Sequence, residues 1–80
     1  MASPAYTREV FENFENSELY VLPMVCMKNM ARSEYGKSEF AIISSDNIIE
    51  NKLILIDRGT QSETVFDTID DMLDAGWVID

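Results

Sequence analysis

Asp67, Asp70, Asp71 and Asp74 stand at positions i, i+3, i+4 and i+7. On an α-helix that spacing lines all four carboxylates along one face. Neither lysine nor arginine occurs from residue 59 onward to offset them. Like charges at these spacings repel by about 0.2–0.5 kcal/mol per pair in an isolated helix, and negative charge near a helix C-terminus opposes the helix dipole. A helix selected for solubility alone would mix signs or use glutamate, the better helix former. The pattern therefore points to a carboxylate array read by the cationic surface of another protein, with Glu63 one turn ahead of Asp67 extending it.

Other groups that could do chemistry are thinner. Histidine is absent and Cys26 is the single cysteine. That removes the usual general base, every serine–histidine or cysteine–histidine pairing and the common zinc sets. Cys26 is expected to be a small buried hydrophobe. The stretch from Ala31 through Gly36-Lys37-Ser38 loosely follows a phosphate loop, with Leu53–Asp57 as a would-be magnesium strand. A phosphate loop needs a strand before it and a helix after it; here the expected order is reversed, and Glu34 sits where phosphate would lie. Asp70-Asp71-Met72-Leu73-Asp74 spells the aspartate-rich magnesium motif of prenyl-transferring enzymes, but 80 residues cannot enclose the cavity that chemistry needs. No glycine-punctuated calcium loop is present. The expectation is a non-enzymatic protein with no cofactor and no metal.

Bulk charge agrees with a protein-binding role. The formal net charge is -9, from 15 acids against 6 bases. The acids gather at both ends of the chain, and residues 19–56 are neutral, with four of each sign. Nucleic acid and anionic membranes need a basic patch, so direct binding to either is not expected. The apolar content is 46%, high for a chain whose small size limits how much core it can bury. Leu19, Tyr20, Leu22, Met24, Met27 and Met30, in the neutral middle, are the expected surface for self-association as a homodimer, methionine being an adaptable contact residue. With no basic leader and no long apolar run, the chain is expected in the cytoplasm.

The elements that must position these residues form one domain, 1–80, of α+β class. Ser3-Pro4 can start a helix over about 4–15, with Tyr6, Val10 and Phe14 recurring every fourth residue and Phe11 beside them. Pro23 and Gly36 punctuate a possible helix at 23–35, the alternative being an extended Leu19–Leu22 that breaks at Pro23. Phe40–Ile43 and Leu53–Ile56 read as a β-hairpin over 39–57, with Asp46-Asn47 or Glu50-Asn51 at its turn. Thr60 and Glu63 fit a capping box for an acidic amphipathic helix at about 61–75, whose apolar stripe is Val65, Phe66, Ile69, Met72 and Leu73. Gly76 ends it, and Trp77 would contact Met72.

Two functional readings follow. In the first, the protein is a small acidic inhibitor or adaptor that docks Glu63, Asp67, Asp70, Asp71 and Asp74 on a basic, nucleic-acid-binding surface. Size and charge fit the anti-restriction proteins of phages and mobile elements, which mimic phosphate arrays and act in the host cytoplasm. In the second, it is a homodimeric accessory subunit acting through its methionine-rich surface. Salt separates the two, since contacts between charges weaken with ionic strength and apolar ones do not.

Overall fold

A computed structural model describes residues 2–30 and 39–80. The chain is α+β, with five antiparallel strands in one curled sheet and helices packed on one side of it. Helix α1 spans Pro4–Glu12. Two 3-10 turns follow, Phe14–Asn16 and Glu18–Val21. Strand β1 is Met24–Asn29 and β2 is Glu39–Ser44. The short helix α2, Ser45–Ile49, leads into β3, Leu53–Asp57. Strand β4 is Glu63–Phe66, α3 is Ile69–Asp74 and β5 is Trp77–Ile79. The order across the sheet is β4-β3-β2-β1-β5, so the last strand lies beside the first.

The first helix forms as its sequence dictates. Ser3 is the N-cap, its hydroxyl accepting the Tyr6 amide at 3.1 Å, and Pro4 occupies the first turn. Val10, Phe11 and Phe14 are buried, whereas Tyr6 is exposed. Thr7, a polar residue on the inward side, is fully buried and joins two elements. Its hydroxyl donates to the Ser3 carbonyl at 3.0 Å and accepts the Ile79 amide at 3.1 Å. The Ala2 amide also donates to the Ile79 carbonyl, so the start of α1 is tied to β5 by two hydrogen bonds.

Three expected elements take a different form. Residues 24–29 are a strand, not part of a helix at 23–35; residues 31–35 lie outside the described residues. Burial alternates along β1, with Val25, Met27 and Asn29 inside. The period is two, and Pro23 sits just before the strand, where no ladder donor is missed. Strands β2 and β3 pair as the hairpin reading requires, but α2 bridges them. Ser44 caps α2 by accepting the Asn47 amide, and Asn51 takes the left-handed conformation that turns the chain into β3.

The C-terminal helix is the largest correction. Residues 63–66 are strand β4 on the edge of the sheet, and the helix is confined to residues 69–74. A turn at Asp57 decides this. The Asp57 carboxylate accepts the Gly59 and Thr60 amides at 2.7 and 2.9 Å, and Gln61 is left-handed. Chain reversal there lets Glu63–Phe66 pair with Leu53–Ile56. The Thr60 hydroxyl accepts the Ser62 amide, closing a local turn in place of a capping box. The operative N-cap is Thr68, which accepts the Asp71 amide at 3.0 Å. Gly76 does end the helix, at φ 99°, and Met72 and Trp77 lie in the same core.

The core is a single cluster between the helices and the inner face of the sheet. Met27, Ile43, Leu55 and Met72 are its largest fully buried members; Val78, equally buried, lies on the other side of the pleat and outside this cluster. Asn29 is the polar member of β1's inward set, and its side-chain amide donates to the Ala75 carbonyl, anchoring the end of α3.

Candidate functional site

The structure does not bring the five acidic residues onto one face, and the array is shorter as a helix face than the spacing implies. Glu63 projects from β4 on the face of the sheet opposite the helices, apart from the aspartates, and Asp67 precedes the Thr68 cap. Only Asp70, Asp71 and Asp74 lie on α3. Asp70 and Asp71 occupy its first turn, where the helix dipole favours negative charge, so the penalty expected for Asp71 is reversed and that for Asp74, at the C-terminus, stands. All five carboxylate residues are solvent-exposed.

Helix packing adds to the array what spacing alone does not show. Helices α1 and α3 touch, and both pack on β5. Arg8 of α1 forms an ion pair with Asp70. That hydrogen bond, reinforced by the charges of Asp70, Glu12 and Asp74, raises the Arg8 pKa above its ordinary value. Arg8 thus contacts Asp70 across the helix pair and lies in the field of carboxylates from both helices. Exposed Glu9, Glu15 and Glu18 continue the acidic surface along α1 and the 3-10 turns. Arg8 is the sole base in residues 2–23 and 67–80, against nine acids.

The methionine-rich segment divides. Met27 is buried in the core and cannot serve as a surface contact in the folded chain. Leu19 is half-buried against that core. Tyr20, Leu22, Met24 and Met30 are exposed, with Val21 among them. Cys26 is also exposed, contrary to expectation, because it falls on the outward beat of β1. The phosphate-loop-like residues 31–38 lie outside the described residues. Asp57, the would-be magnesium ligand, instead holds the turn after β3. The Thr60 and Gly59 amides lower its pKa. Among the described residues no group of three potential ligands is placed to hold a metal ion. No helix there is long and apolar enough to cross a membrane.

Comparison of the chain with protein-family models, with curated proteins and with solved structures finds no match. The site is therefore read from its geometry alone.

A second surface lies opposite the helices. Outward side chains of the sheet form rows across the strands. One row runs Val78, Lys28, Phe40, Arg58; the Lys28 ammonium lies 5.7 Å from the Phe40 ring centre, and the Arg58 amide donates to the Phe40 carbonyl. The next runs Asp80, Cys26, Ile42, Ile56, Glu63. Met24 and Ser44 pair beyond it on one side of the sheet, and Ile54 and Val65 on the other. Ile56 and Val65 are exposed, Val65 to 65%. Ile42 and Ile56 floor a concavity of about 420 Å³ whose rim includes Arg58 and Gln61. This apolar face was legible as the alternate residues of β1, β2 and β3, once those segments are known to be strands.

Proposed function

We propose that the protein is a non-enzymatic inhibitor or adaptor whose acidic helical layer docks on a basic surface of a partner protein. The observation that supports this most is the meeting of α1 and α3: Glu12, Asp70 and Asp74 act on a single arginine, so the charge there stays strongly negative. Exposed carboxylates on a packed helical layer hold their spacing, which suits them to meet lysine and arginine arrays that otherwise contact phosphates. A counter-defence role of the anti-restriction type, in a host cytoplasm, is the biological setting this chemistry fits.

The test replaces Asp67, Asp70, Asp71 and Asp74 by asparagine in a tagged chain and compares partner capture from host lysate at low and high salt. Capture should fall sharply in the variant and in wild type at high salt, with circular dichroism unchanged. Undiminished capture by a folded variant overturns the reading. Lys28→Gln with Lys37→Gln is the control and should matter less.

A second reading, self-association through an apolar surface, is favoured by the exposure of Tyr20, Leu22, Met24 and Met30 beside the open face of the sheet. In that case the acids chiefly keep a homodimeric accessory subunit in solution.

A further inference from the structure

The outer face of the sheet differs from the rest of the molecule in charge. Its rows carry two cations, Lys28 and Arg58, and two anions, Asp80 and Glu63, so the face is neutral on a chain of net charge -9. Among the described residues none of the four forms an ion pair within the chain. A strongly basic or acidic partner finds no complement here. The arrangement does complement itself: the cations share one row, and the anions stand at the two ends of the next.

We propose that this face joins two copies of the chain about a two-fold axis that lies in the interface and runs across the strands, between those two rows. The proposal deepens the self-association reading and is independent of the acidic-layer one. The operation lays the Lys28–Arg58 row of each copy over the Asp80–Glu63 row of the other. Lys28 then stands one strand from Asp80 of the second copy, and Arg58 one strand from its Glu63. That offset is about 4.8 Å, within reach of a long basic side chain across sheets stacked about 10 Å apart. Each contact occurs twice, as an isologous interface requires. Phe40 of each copy lies over Ile42 of the other near the centre, and the acidic helical layers face outward on opposite sides of the dimer, where repulsion is least.

The size of the face sets the strength. Five strands span about 20 Å, and three rows about 15 Å. Two such faces bury on the order of 600 Å² in total, below the usual size of specific interfaces, so the dimer should be weak and dissociate at tens of micromolar or above.

Sedimentation velocity on the whole chain, from low micromolar to near-millimolar concentration, tests this. Wild type should pass from monomer to dimer. Arg58→Glu and Glu63→Arg should each raise the dissociation constant about tenfold or more, and the double variant should recover to within about threefold of wild type. The two single changes move net charge in opposite directions, so a general charge effect would give them opposite signs. Coupling Cys26 to a bulky maleimide should abolish the dimer without any substitution, and circular dichroism should show every form folded. A wild type that stays monomeric throughout overturns both this inference and the self-association reading. A dimer indifferent to the swaps and to the blocked cysteine overturns this interface alone and leaves self-association elsewhere on the chain.

Discussion

Leu55 and Ile56 are neighbours on β3, and the pleat sends them to opposite sides of the sheet. Leu55 is 1% exposed beneath the helices; Ile56 is 37% exposed on the open side. The same division runs along β1, between Met27 and Cys26, and along β2, between Ile43 and Ile42. Both faces are apolar; the helices cover one, and the other is open at Cys26, Ile56 and Val65 while Val78, at its β5 end, is buried. The acids follow the cover, crowding the solvent side of the helices and leaving the bare face neutral. Apolar content therefore does not separate core from contact surface here. The company of charge does.

Substitutions on adjacent residues bring that contrast to a measurement. Leu55→Ala should lose about 2–5 kcal/mol of stability in denaturant unfolding, through lost transfer energy and an unfilled cavity. Ile56→Ala should change the monomer by less than about 1 kcal/mol, as exposed positions usually do. Equal losses would mean that both faces are packed, and the contrast would be wrong.

The polar seam under the helices should be next in size. Thr7→Val keeps the shape but leaves the Ile79 amide without its side-chain acceptor. A loss of about 1–3 kcal/mol is expected. Faster hydrogen exchange at Ile79 would locate it. Thr68→Ala removes the cap of α3 and should cost about 1 kcal/mol, with the Asp71 amide losing protection. Thr60→Ala, at the expected cap, should leave α3 untouched.

The smallest effect belongs to the Asp57 turn, which lies at the rim of both faces. Its carboxylate has a lowered pKa in the folded chain, so the charged form is the stabilising one. That contribution is complete above the ordinary value of 3.8 and fades as pH falls from there through the lowered folded value. Carboxyl NMR titration should show Asp57 titrating below the ordinary value of 3.8. Asp57→Ala should remove this acid-range dependence, and because the group is exposed the change in stability should be slight.

Helix α1, the pairing of Phe40–Ile43 with Leu53–Ile56 and the stop at Gly76 were legible, because caps and periodicity act locally. Residues 60–75 were misread because Val65, Phe66, Ile69 and Met72 satisfy a helical stripe while two of them also satisfy a strand. Long-range pairing with β3 and the Asp57 turn settle that ambiguity. Met24–Asn29 failed for the same reason: a period of two over six residues is weak against proline and glycine punctuation. The spacing of the aspartates was legible, but the Arg8–Asp70 pair depends on α1 and α3 meeting across the fold. Val78 and Ile79, beyond the expected helix, complete strand β5.

That strand carries a kinetic consequence. Strand β5 pairs with β1 and receives the Thr7 and Ala2 contacts, so the sheet closes only when segments from both ends of the sequence meet. The β1–β2–β3–β4 meander can form from neighbours, whereas docking β5 requires closing almost the whole chain as a loop. High contact order of this kind slows folding. During synthesis the inward edge of β1 stays unpaired until residues 77–79 arrive, and in that interval Lys28, on the exposed edge strand, is the residue that discourages pairing with another chain.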